Sequence, residues 1–209
     1  MAKSMQHWNG NQLCAIDTET TGLDAAYHEI WQIAILPLDS DIKPRKDVLP
    51  FFIEMRPEHP ERVSEGALKL NRDGLLTACG RGHDPEKAKD MLQTWIAKLG
   101  LPVTKGGYPK RIIPLGQNYA FDIGFIKKWL GISMYDEFFD YHYCDTMIAA
   151  NYLNDRAAWH AEKVPFSKIN LTYLASTLKI PHDRAHDALA DCQITAAVYR
   201  SQLTMGLLG

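Results

Sequence analysis

The stretch "LCAIDTETTGL", Leu13 to Leu23, decides the fold. Four residues that suit a buried strand, Leu13 to Ile16, run straight into Asp17, and Glu19 follows two positions later. Strand side chains alternate faces, so the two carboxylates point the same way, about 7 Å apart along the chain. Two readings compete. In one, the strand ends at Ile16 and both acids sit in a solvated turn, for which Asp and Thr are ordinary residues. In the other, the carboxylates hold a cation. Burying like charges together is costly unless something positive pairs them, and hard divalent ions prefer oxygen ligands. The stretch alone leaves both readings open.

The surrounding composition sets limits. The chain has 209 residues, 46% of them apolar and 23% charged, which fits one globular domain over 1–209 with its core in about 11–204. No apolar run approaches the length that spans a bilayer, and "MAKSMQHWNG" does not resemble a secretion signal. Cys14, Cys79, Cys144 and Cys192 lie far apart without metal-ligand spacing; three sit in apolar surroundings, which suggests a reducing, cytoplasmic setting. The net charge of −2 does not advertise a nucleic-acid binder. Setting aside four carboxylates gathered at a metal site leaves a small positive balance, compatible with phosphate contacts.

Outward from the first strand, Glu29 to Leu38 and Val48 to Met55 read as second and third strands of an antiparallel meander. A short helix is expected over Ser64 to Leu70, and another from Asp84-Pro85 to Gly100. Arg111 to Gly116 is a fourth strand, followed by a helix from about Tyr119 to Leu130. Tyr141 to Cys144 is a candidate fifth strand, with Asp145 capping the next helix rather than acting in chemistry. Asn154 to Lys168 reads as an irregular insertion, and helices over Asn170 to Leu178 and Asp187 to about Leu203 finish the chain. A meander followed by strand–helix alternation is an α/β pattern with a mixed five-stranded sheet, for which a ribonuclease-H-like fold is one architecture.

Two more acids sit among hydrophobes. Asp122 heads the helical column Phe125, Ile126 and Trp129, while Lys127 and Lys128 take the other side. A place near the positive end of the helix dipole explains its charge but not its column. Asp191 shares a column with Ala188, Thr195 and Val198, with no Lys or Arg at helical contact distance. "HDRAHDALAD" offers two His–Asp pairs five residues apart. Asp187 suits the N-cap of the last helix, which leaves His186 with Asp191 as the chemical pair and His182 on the surface.

"AIDTETTGL", "GQNYAFDIGFI" and "AHDALAD" resemble the three motifs of the DnaQ-like DEDDh 3′–5′ exonuclease superfamily, which includes proofreading exonucleases, ribonuclease T and oligoribonuclease. The resemblance runs from about Asn11 to Gln202, in the family order. The tyrosine subclass would carry Tyr at position 187, where this chain has Asp187; the chain is similar to the histidine subclass. Gln117 stands where many relatives have His. Neither 154–168 nor 64–83 matches a particular subfamily, so the natural substrate is the part left open.

The resemblance implies that Asp17, Glu19, Asp122 and Asp191 organise two divalent ions, Mg²⁺ or Mn²⁺, with His186 as general base. It further implies that Thr20 and Leu23 lie beside the terminal nucleotide, Leu23 as a wedge. The expected reaction releases nucleoside 5′-monophosphates from 3′ ends of DNA, single-stranded or mismatched. RNA trimming is the rival, because metals acting on a phosphodiester do not read the 2′-hydroxyl. An inactive nucleic-acid-binding module conflicts with five intact motif residues. A DxDx(T/V) phosphatase would want Asp at position 19 and leaves His186 and Asp191 without a role. A polymerase or a second copy is an open partner, "KGGYPKR" (Lys105 to Arg111) is a candidate strand contact or a plain solvated loop, and the tail "LTMGLLG" a candidate dock.

Overall fold

A computed structural model describes residues 10–182 and 187–205. His186, the first nine residues and the last four residues of the tail lie outside that set. Five strands form one mixed sheet: β1 (Leu13–Thr20), β2 (Ile30–Pro37), β3 (Phe51–Glu54), β4 (Ile113–Gly116) and β5 (Cys144–Asp145). Their order is β3-β2-β1-β4-β5, antiparallel from β3 to β1 and parallel from β1 to β5. The expected mixed α/β sheet is present, and β1 does not stop at Ile16. It continues through both acids to Thr20, so the turn reading of "DTET" is overturned.

Among the described residues seven α-helices flank the sheet: α1 (Glu65–Arg81), α2 (Pro85–Lys98), α3 (Tyr119–Leu130), α4 (Ile132–Phe138), α5 (Thr146–Trp159), α6 (Leu171–Thr177) and α7 (Ala188–Thr204). Alternation along the strands divides the core in two. Cys14 and Ile16 of β1, with Ile33 and Ile35 of β2, face a layer containing Leu92 and Ile96 of α2 and Phe125 and Ile126 of α3. Leu13 and Ala15, with Ala34 and Leu36, face the layer of α7 through Ala188, Cys192 and Ala196. By the same alternation Thr18 points toward the α3 layer, and Asp17 and Glu19 toward α7.

Several expectations change. Asn154 to Lys168 is not irregular throughout: α5 continues to Trp159 because Ala157 is buried beneath it. Asn154 then clamps the returning chain, accepting from Phe166 N (3.0 Å) and donating to Phe166 O (2.8 Å). The fifth strand is Cys144–Asp145 rather than Tyr141 to Cys144, and β3 starts at Phe51. The helix expected to end at Leu70 breaks at Asn71 (φ −149°, ψ 70°) and restarts as its carboxamide oxygen accepts from Gly74 N at 3.1 Å. The short α4 was not anticipated. Its buried Tyr135 meets the Tyr119 hydroxyl at 3.1 Å.

Caps fix where the helices begin. Asp187 accepts from Ala190 N at 2.9 Å, the expected cap of α7. His182 is partly buried, bonded to Ser176 Oγ (3.1 Å) and Ile180 O (2.9 Å). Asp145 caps α5 as expected, through Met147 N (2.7 Å) and Ile148 N (3.2 Å), while its other oxygen accepts from Tyr119 N at 2.7 Å. One buried carboxylate therefore secures the starts of both α3 and α5. Asp145→Ala leaves three N–H donors without it; equilibrium urea unfolding is expected to show a loss of about 2–4 kcal/mol.

Candidate metal centre

The centre lies where β1 outruns its neighbour. β4 pairs with β1 over Leu13 to Ala15, and among the described residues no strand pairs with that edge of β1 beyond Ile16. The other edge stays paired with β2 as far as Thr20, with a bulge that skips Trp31. The Trp31 ring packs instead with Leu75 and Ala78 of α1. Carboxyl ends of parallel strands at such a junction are where α/β sheets present their sites.

Three predicted residues come together there. Asp17, Glu19 and Asp191 each place a carboxylate oxygen so that all three lie within 4.8 Å of one another, and each is half-buried. Asp191 arrives on the first turn of α7, with its N–H bonded to Asp187 O at 2.9 Å.

Asp122 comes from the opposite layer and stands outside that trio. It is 4% exposed, and its Oδ1 accepts from both Thr18 N (3.0 Å) and Thr18 Oγ1 (2.6 Å). The first turn of α3 thus satisfies the β1 edge that β4 leaves open. The column beneath Asp122 is as expected, with Phe125 and Ile126 buried. Sequence reasoning missed Thr18. Its signal was present in "DTE", because the residue between two like-facing acids must point to the other layer.

The predicted substrate positions form the turn that follows. Thr20 Oγ1 donates to Gly22 O at 2.7 Å, and Leu23 is 84% exposed. The turn is pinned on both sides. Thr21 N donates to Glu29 O (2.8 Å) and Thr21 Oγ1 accepts from Glu29 N (3.0 Å). Lys128 Nζ reaches across from α3 to His28 O at 2.8 Å. An apolar side chain held in solvent on a hydrogen-bonded turn directly after β1 is available for contact. Phe121 packs against Phe125 with ring centroids 4.9 Å apart, while Asn118, at φ 60°, starts α3 without a side-chain cap.

Crowding shows in the proton affinities. Burial pushes Asp17 well above the usual carboxylate range, and Asp122, Asp191, Glu19 and Asp187 push it further. Burial, then Asp191, Asp122 and Asp187, raises Glu19 to about 7. Asp122 is also raised to about 7 by burial, against the downward pull of the two Thr18 donors. An all-oxygen, like-charged donor set with this proton affinity fits a hard divalent cation, which would replace the protons.

A family model described as "Exonuclease" (RNase_T) matches residues 14–199. No curated protein matches the chain in sequence. Among solved structures, the chain is similar to cell-death related nuclease 4 (CRN-4), with a TM-score of 0.69 and 19% identity over 93% of this chain and 64% of that one. Escherichia coli exonuclease I in complex with a dT13 oligonucleotide gives 0.67 and 19%, over 92% and 41%. Exonuclease I from Methylocaldum szegediense gives 0.66 and 20%, over 91% and 40%. The chain therefore spans less than two thirds of each. At these identities the likeness fixes the fold, that of the ribonuclease-H-like exonucleases.

The raised carboxyl groups carry a consequence for stability. Glu19 holds its proton to about pH 7 when folded but only to its ordinary 4.5 when unfolded. Its contribution is then full below about pH 4.5 and lost as pH rises through 7. In EDTA, the melting temperature is expected to fall over this range, with less slope in Glu19→Gln and with added Mg²⁺. Scanning calorimetry across pH 4.5–8 checks it; a parental slope no steeper than that of Glu19→Gln contradicts it.

Proposed function

Because the chain belongs to the RNase T exonuclease family, we propose that it is a metal-dependent 3′–5′ exonuclease. It releases nucleoside 5′-monophosphates from 3′ ends of DNA, single-stranded or mismatched. The observation that carries this is the trio of carboxylates at the end of β1, on a scaffold whose family match spans residues 14–199. The single-stranded preference draws support from exonuclease I, solved with dT13 and dA16 oligonucleotides.

In this reading Asp17, Glu19 and Asp191 hold the divalent ions, Mg²⁺ or Mn²⁺, and Asp122 assists with the oxygen that Thr18 leaves free. Bound ions supply polarisation of the phosphodiester and charge for the attacking and leaving oxygens. His186, close in sequence to the start of α7, takes the proton of the attacking water; an ordinary imidazole pKa of roughly 6.5 suits that task near neutral pH. Water adds to phosphorus, the P–O3′ bond breaks, and the products are a 5′-monophosphate and a strand with a new 3′-hydroxyl. Leu23 wedges against the terminal base, and the Thr20 hydroxyl, through Gly22 O, keeps the turn in shape to present it.

Asp17→Ala and Asp191→Ala are each expected to abolish Mg²⁺-dependent hydrolysis with the fold intact by circular dichroism; full activity in either removes that residue from the centre. His186→Ala is expected to lower the rate by roughly 10²–10⁴-fold and to flatten the acid limb of the pH–rate profile. A product time course on 5′-labelled single-stranded DNA, single-stranded RNA and a 3′-mismatched duplex tests polarity and substrate together. Shortening from the 3′ end, fastest on DNA, is the expected result. Faster loss of RNA reverses the substrate assignment.

A further inference from the structure

β2 is buried along its whole length and contains a single strongly polar side chain, Gln32. The sheet register places it opposite Glu19 on β1 and opposite Glu54 on β3. The three form a cross-strand row, Glu19–Gln32–Glu54, on the face that α7 covers. Gln32 is 3% exposed, and its Oε1 accepts from Ala188 N at 2.8 Å. Its Nε2 donates toward Glu54 Oε1 at 3.4 Å. Ala188 is fully buried, so water does not satisfy that N–H. It is one of the orphan donors every helix start presents.

We propose that Gln32 is a positioning residue for the carboxylate centre: it fixes the start of α7 against β2 so that Asp191, three residues on, meets Asp17 and Glu19. The inference rests on the reading of that centre as a metal site. A helix advances about 1.5 Å per residue, so a slip of α7 by a fraction of a turn separates Asp191 from the other two oxygens. The amide matches its place chemically. A carboxylate there could accept from Ala188 but not donate to Glu54, and an apolar side chain could do neither. Partners of this kind, behind metal ligands, typically cost 10–100-fold in metal affinity when removed.

Gln32→Met keeps length and volume and removes both hydrogen bonds. Gln32→Asn keeps the amide but shortens its reach. Mn²⁺ binding by calorimetry and the Mn²⁺-induced rise in melting temperature are measured alongside KM and kcat on a labelled oligonucleotide. The Met and Asn variants are expected to bind Mn²⁺ about tenfold or more weakly, with kcat reduced at limiting Mn²⁺ and KM unchanged. A merely structural role lowers the melting temperature of Gln32→Met and leaves Mn²⁺ affinity alone; that result overturns the proposal. If Gln32→Met does not fold, parental affinity in Gln32→Asn is the overturning result. A parent that shows no Mn²⁺ binding overturns the metal centre itself, and the proposal with it.

Discussion

Repulsion among the carboxylates at the end of β1 is the constraint around which this molecule is arranged. Asp17, Glu19 and Asp191 bring oxygens within 4.8 Å, and Asp122 adds its field from behind. Such a gathering opposes folding, and burial and crowding together raise the proton affinity of Asp17 and Glu19. What opposes the repulsion is the packed sheet itself, with two apolar layers built on alternate residues of the same strands. Two helix starts help. Asp122 and Asp191 each lie in the first turn of their helix, so the positive ends of α3 and α7 both face the acids.

β1 works as a partition. Its odd-numbered residues hand two acids to the α7 side, and the intervening Thr18 reaches the α3 side to hold a third. The early end of β4 makes this possible, because a full-length neighbour would consume the Thr18 N–H in ladder pairing. Asp122 is therefore both an edge cap for a strand and part of the site's charge. Asp145 sits behind it, securing the start of α3 through Tyr119 N.

Much of this was legible in the sequence because it follows from period and spacing. An alternation of two gave the shared direction of Asp17 and Glu19, and an alternation of 3.6 gave the columns under Asp122 and Asp191. The caps Asp145 and Asp187 were legible for the same reason, each preceding helical periodicity. Features set by distant contacts were not. Nothing local to Asn154 says that its amide grips Phe166, and nothing local to "DRAAW" outweighs its polar look until Ala157 is seen buried. Asn71 breaks a helix that its neighbours would continue. Gln32 was visible as a polar residue in an apolar strand, but its partner lies 156 positions away.

That separation has a bearing on how the protein comes into being. Asp17 and Asp191 stand near opposite ends of the described chain, and α7 packs across β1 and β2, the first strands of the described residues. Closing so long a loop is slow and comes late, after the local hairpin of β1 and β2 can form. A chain made only as far as α6 holds two of the three clustered acids but not the third. The trio of carboxylates is therefore complete only once α7 has docked on β1 and β2.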